Sequence, residues 1–141
     1  MQAKEFITWK SIYETNIPKI DDQHKRLLVI LNDLYRSFIQ KDGSDVMLDI
    51  AKKLISYTKY HFTAEETFLS KINYPKLQEQ IDEHIGFKTK IDEFYINIEK
   101  VGMSVEILQF LQNWLKSHIK GKDVAYSQWI FENKIDFEKF I

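Results

Sequence analysis

Cysteine is absent from this 141-residue sequence, which excludes disulfide scaffolds, thiolate metal sites, iron–sulfur clusters and thiol nucleophiles. Proline occurs twice and glycine four times. That is too little turn material for a many-stranded sandwich, so the chain is expected to run in a few long elements. Net charge is nearly absent as well: 20 basic residues against 21 acidic leave −1, and no basic field points to nucleic acid as a partner. The longest apolar run, Leu27-Leu28-Val29-Ile30-Leu31, falls far short of a membrane-spanning helix. The stretch from Met1 to Lys10 lacks the apolar segment of a secretory signal, so the expected location is the cytoplasm, with no membrane partner. What is present is core material: 44% hydrophobic and 14% aromatic residues, in a length that suits one domain over residues 1–141.

The punctuating residues divide the chain. An N-terminal arm, residues 1–19, carries Phe6, Trp9, Ile12 and Tyr13 and is closed by Pro18. From about Asp21 to Lys41, the residues His24, Leu27, Leu31, Leu34 and Phe38 recur at steps of three and four, the apolar stripe of a helix. Gly43 breaks it, and Ser44 is the expected N-cap of a second helix running to about Lys71. Asn73-Tyr74-Pro75 is the next break, with Pro75 suited to the first position of a third helix that runs to about Lys100. Gly102 ends that helix, Ser104 is expected to cap a fourth, and Gly121 disturbs the fourth near its end. Tyr126, Trp129, Ile130 and Phe131 form a further short helical segment, and residues 132–141 are a tail. Short breaks between long amphipathic helices favour antiparallel neighbours. The expected fold is therefore all-α: an up-down-up-down antiparallel four-helix bundle over residues 20–131, with an N-terminal arm and a short C-terminal helix.

The chemical signal is in the histidines. There are four, and each falls on the inward stripe of a different predicted helix: His24, His61, His84 and His118. Any one of them, taken singly, reads first as a core histidine bonded to a neighbour. Four converging on one core leave several buried polar groups to satisfy together, which a metal site does. Glu65 follows His61 by four residues and shares its face. Asp123 follows His118 by five, which in a regular helix places the two about 140° apart. Gly121 or a loosened last turn must redirect Asp123 if it is to reach the same place.

Spacing rejects several named sites. No His-Glu-x-x-His occurs, which removes the zincins. The residues three before the histidines are Asp21, Thr58, Ile81 and Leu115, so the Glu-x-x-His of ferritin-like di-iron proteins is missing too. There is no phosphate-cradling glycine loop and no nucleophile elbow, although composition leaves a Ser–His–Asp hydrolase open.

At these residues the sequence resembles a known family. Asp21-Asp22-Gln23-His24-Lys25, His61-Phe62-Thr63-Ala64-Glu65-Glu66, Tyr74-Pro75 with His84 and Phe87 beyond, and Trp114-Leu115 with His118, Asp123 and Tyr126 are similar to the bacterial hemerythrins. The likeness runs from Trp9 to about Phe131. It implies a non-haem centre of two iron ions, oxo- or hydroxo-bridged, that binds dioxygen reversibly. By that resemblance His24 and His61 serve one iron, His84 and His118 the other, and Glu65 and Asp123 bridge them. Phe87, Trp114, Ile119 and Tyr126 fall where the family packs bulky side chains around the oxygen pocket, though each is equally suited to ordinary core.

The chain departs from the family at one ligand position. The family has a further histidine four residues before His84, where this sequence has Gln80. The Gln80 amide oxygen is one candidate for the vacant role, as a harder and weaker donor than imidazole. The alternatives are Glu83 swinging in, or a water. Three functions follow from that position: reversible oxygen binding for storage, delivery or sensing; a di-iron redox enzyme (oxidase, peroxidase or nitric oxide reductase) exploiting a more open iron; or a bundle that keeps one structural iron or zinc.

Overall fold

The computed structural model describes residues 5–141; the first four residues of the N-terminal arm lie outside the described residues. The chain forms an antiparallel four-helix bundle, with α1 over Pro18–Ile39, α2 over Ser44–Lys71, α3 over Leu77–Val101 and α4 over Val105–His118. A π-helical turn, Ile119–Asp123, carries α4 without a break into α5, Val124–Glu132. Short 3-10 turns at Ser11–Tyr13 and Phe137–Lys139 complete the order. Among the described residues no strand occurs, and no helix is long and apolar enough to cross a membrane.

Glycine scarcity is met at the helix ends by other residues. Lys41, Asn73 and Lys134 adopt left-handed backbone, with φ of 57°, 57° and 52°. In each case the next amide reaches back to the third-last carbonyl: Asp42 N to Ser37 O, Tyr74 N to Leu69 O and Ile135 N to Ile130 O, all 3.0–3.1 Å. These are Schellman closures, which satisfy carbonyls that the helix end would otherwise leave bare. Only α3 stops at a glycine, and there Gly102 takes φ 91°, open to a residue without Cβ.

The starts depart from expectation in three places. Gly43, not Ser44, is the N-cap of α2; Ser44 is already helical and makes no side-chain cap bond. Pro75 does not open α3, because the Schellman closure holds Tyr74 and a turn follows in which Leu77 N reaches Tyr74 O at 3.3 Å, with proline at the turn's second position. Pro18 does not close the arm but begins α1, where its missing N–H costs nothing. Ser104 does cap α4, accepting from Ile107 N at 3.3 Å.

The bundle core divides around one polar layer. The larger apolar cluster fills the bundle's middle and distal end, with Leu27, Leu31, Leu54, Phe62, Phe87, Leu111 and Leu115 among its members. A smaller cluster of Ile20, Phe68, Leu69, Tyr74, Tyr126 and Ile130 closes the end where α1 and α3 begin and α2 and α4 finish. The arm is fastened alongside: Asn32 exchanges two 2.9 Å hydrogen bonds with the Ile7 backbone, Gln112 donates to Phe6 O at 2.6 Å, and Phe6 stacks on Tyr35.

Candidate metal centre

The polar layer between the clusters holds His24 of α1, His61 and Glu65 of α2, Gln80 and His84 of α3, His118 of α4 and Asp123 of the π turn. None of these seven is more than 3% exposed. Steps of three and four aim the α2 and α3 residues inward, as the stripes require. Asp123 needs a different device. The π turn carries one residue more per turn than an α-helix, so a residue five positions on comes back beneath its predecessor, and Asp123 Oδ1 stands 3.2 Å from His118 Nε2.

Each carboxylate faces two histidine pairs at once. Glu65 sends Oε2 to His61 Nε2 at 3.1 Å and Oε1 to His84 Nε2 at 3.1 Å. Asp123 sends Oδ2 to His24 Nε2 at 3.0 Å and Oδ1 to His118 Nε2 at 3.2 Å. The donor atoms accordingly form two groups. His24, His61, Glu65 and Asp123 offer one atom each within 4.8 Å of one another, and so do Glu65, His84 and His118.

The imidazole rings are oriented from behind. His61 Nδ1–H donates to Gln23 Oε1 at 2.6 Å, His84 Nδ1–H to Glu66 Oε2 at 2.7 Å and His118 Nδ1–H to Glu83 Oε1 at 3.3 Å. Such bonds fix the tautomer and turn the Nε2 lone pair into the site. Gln23 and Glu66 were not singled out from the sequence, since both lie beside a stripe and meet a ring from a neighbouring helix. Glu83, one of the alternatives for the position of a third histidine, does not turn inward; it stands behind His118, tied also to Lys122 at 3.6 Å. Phe62, a further omission, stacks on His84 with ring centroids 3.8 Å apart.

The remaining expected residues fall on both sides of the layer. Trp114 stacks on His118 at 4.4 Å, Phe87 stacks on Trp114 at 4.0 Å, and Ile119 is buried in the large cluster. Tyr126 lies on the closed-end side, where its hydroxyl donates to Glu65 Oε2 at 3.0 Å. Gln80 is drawn fully into the layer. Its amide nitrogen donates to Glu65 Oε1 at 2.7 Å and to Asp123 Oδ1, with His118 Nε2 3.2 Å away.

Charge is concentrated accordingly. Burial disfavours the imidazolium of His24, but the nearby carboxylates of Asp123 and Glu65 outweigh it and raise its pKa to about 9. His118 is likewise penalised by burial and carried up to about 10 by Asp123, Glu83 and Glu65. For His61 burial wins, and its pKa falls. Burial acts against the charge of Glu65, yet the surrounding histidines hold it well below the usual carboxylate range. Burial and the same carboxylates push Tyr126 well up, so it remains a donor.

The donor set fits a cation. His24 Nε2 and Asp123 Oδ2 are 3.0 Å apart but share no hydrogen bond, and both are fully buried without another partner. Two such atoms face a common point rather than each other, and an unpaired buried polar atom costs about 1–3 kcal/mol. Imidazole and carboxylate, with no thiolate, suit iron and its divalent neighbours.

The model of the Hemerythrin HHE cation binding domain matches residues 15–130. The chain belongs to the hemerythrin family. A Clostridium acetobutylicum bacteriohemerythrin is 35% identical over 126 residues, covering 84% of this chain and 96% of that protein. A bacteriohemerythrin of Pseudomonas aeruginosa is 28% identical over 122 residues, covering 85% and 78%. A crystal structure of wild-type hemerythrin superposes with a TM-score of 0.80 at 25% identity, covering 87% of this chain and 96% of that one.

Proposed function

We propose that this chain holds two iron ions, oxo- or hydroxo-bridged, and binds dioxygen reversibly for storage, delivery or sensing. One observation carries the reading: Glu65 and Asp123 each extend one oxygen to each histidine pair, the disposition of two bridging carboxylates. His24 and His61 are the terminal donors on one side, His84 and His118 on the other. Iron bound there supplies reversible electron exchange and a coordination position for dioxygen.

The chain's own residues set the conditions for that chemistry. The Nδ1–H bonds to Gln23, Glu66 and Glu83 hold three rings in register. The Tyr126 hydroxyl steadies Glu65 from the closed end. Phe87, Trp114 and Ile119 belong to the apolar wall that keeps bulk water from the layer. Gln80 faces the second group through its amide nitrogen; turning the amide about its last bond would present its oxygen as a weak donor in place of a third imidazole.

Iron content per chain, measured with the visible spectrum in air and under nitrogen, tests the proposal. Two irons and an absorption band that forms in air and fades under nitrogen are expected. A protein purified with iron available that holds none, or whose iron spectrum ignores oxygen, would overturn it. Sustained consumption of dioxygen or peroxide with a reductant would instead favour a di-iron redox enzyme.

A further inference from the structure

The two sides of the histidine layer differ in polarity. Along α2, Glu65 lies one turn beyond His61 toward the closed end, and Asp123 lies beyond His118 in the same direction. Gln80, one turn before His84 on α3, is on that side too. The carboxylates and the amide therefore approach from the closed end. Toward the bundle middle the layer meets buried Leu27, Leu31, Phe87 and Leu115.

A buried polar side chain, Thr58, stands on this inner side next to the layer. Thr58 precedes His61 by three residues and Glu65 by seven, so it shares their helical face one turn deeper in the bundle. It is 0% exposed, and its hydroxyl has no hydrogen-bond partner. A helical threonine ordinarily bonds the carbonyl four residues back, and this molecule contains that arrangement: exposed Thr89 donates to Ile85 O at 2.9 Å. Thr58 does not. A buried hydroxyl that leaves its local acceptor unused, one turn from the histidine layer, is a donor without its acceptor.

We infer that Thr58 donates a hydrogen bond to the outer atom of a small ligand bound at the metal of His24 and His61, and so favours ligands with a lone pair or negative charge there. The inference rests on the metal reading above. The carboxylates occupy the closed-end side, so an added ligand approaches from the inner side, where a purely apolar wall would accept any small molecule of suitable size. One hydroxyl in that wall discriminates, because a hydrogen bond made in a dry pocket is stronger than in water, and a ligand unable to accept it leaves the donor unpaired.

Azide, a linear anion, is the probe. Iron-loaded ferric wild type, Thr58→Val and Thr58→Ser are titrated with azide by visible absorption, with iron per chain measured for each and the metal-free forms melted in parallel. Thr58→Val should bind azide about tenfold more weakly at equal iron content, equivalent to ~1.4 kcal/mol. Thr58→Ser, which keeps the hydroxyl, should stay within about twofold. Metal-free Thr58→Val should melt no lower than metal-free wild type, since it loses only an unpaired polar atom. Equal azide affinity for wild type and Thr58→Val at equal iron content would overturn the inference and leave the metal reading intact. A lower melting temperature for metal-free Thr58→Val would also overturn it, by assigning the hydroxyl to the helix backbone. Wild type that retains no iron would overturn the metal reading itself, and this inference with it.

Discussion

The pair His24 and His61 and the pair His84 and His118 reach the same two carboxylates, but different groups stand behind the rings. His61 is backed by the neutral amide of Gln23, and His24 Nδ1 has no partner at all. His84 and His118 are both backed by carboxylates, Glu66 and Glu83, which extend from the layer to a quarter and a third exposure. A carboxylate accepting from Nδ1–H makes the opposite nitrogen a stronger donor. The half that also contains Gln80 is thus the half whose two rings are backed by carboxylates. If metals bind as proposed, donor strength on the Gln80 side is supplied from behind the rings, and the two positions should differ in how they lose their ions.

The largest effect tests whether there are two halves to compare. Removing metal leaves the polar layer buried without its cation, and metal bound at a thousandfold excess over its dissociation constant contributes about 4 kcal/mol. The metal-free protein should melt roughly 10 °C or more below the loaded form by calorimetry; equal melting temperatures would refute the centre. The metal-free form should also show a particular pH response. The pKa of His24 at about 9 and of His118 at about 10 lie above the ordinary histidine value. Their contribution is complete below about 6.5, the unfolded value, and is lost as pH rises through 9 to 10. Glu65 and Asp123, held low, act oppositely, and their contribution disappears as pH falls below the ordinary carboxylate range. Metal-free melting should therefore peak in mildly acid buffer and decline toward pH 10.

Next in size is the loss of one half. His61→Ala leaves its position with His24 and the shared carboxylates, and iron per chain should fall from two to about one. Unchanged iron and an unchanged spectrum would remove His61 from the ligand set. Smaller, and aimed at the contrast itself, is neutralising what lies behind the second pair. Glu66→Gln with Glu83→Gln keeps the shape but not the charge, and groups in this role are typically worth about 10–100-fold in metal affinity. Chelator challenge should strip one iron from the double variant well before the other. Gln23→Leu, the counterpart behind His61, should cost less, since it removes a neutral acceptor. Equal losses from both substitutions would dissolve the comparison.

How these halves are built also marks what the sequence could disclose. The bundle was legible because apolar residues recur at three and four over each helix, and the gathering of His24, His61, His84 and His118 follows from their places on those stripes. The approach of Asp123 was legible only as a condition, that Gly121 or a loosened last turn redirect it, because its spacing from His118 does not fit a regular α-helix; the π turn Ile119–Asp123 meets that condition. The helix end at Asn73 was legible as a break, whereas left-handed Lys41 stood behind an expectation that Gly43 ends the helix, and nothing in the pattern marked Lys134. The groups behind the rings were the least visible: Gln23, Glu66 and Glu83 come from other helices than the rings they hold, and the sequence offers Glu83 only as an alternative inward donor. Contacts between helices decide these positions, and a periodicity along one helix carries no record of them.

The finest test exchanges Gln80 for histidine. The Gln80 amide lies among Glu65, Asp123 and His118 and donates to both carboxylates, much as a cation would satisfy them. An imidazole there has one N–H on its near side at most, and it adds a third ring to a crowded layer. Metal-free Gln80→His should consequently melt a few degrees lower than metal-free wild type. The loaded variant gains a better iron donor on the same face as His84. The second iron should then resist chelator longer, by less than the change of about 10–100-fold expected from the carboxylates, and the oxygenated state should last longer. The gap between loaded and metal-free melting should widen from both sides. If the metal-free melting temperature falls and iron retention does not rise, Gln80 is a structural tie between the carboxylates, and the reinforced rings of His84 and His118 already hold the second iron without a third nitrogen.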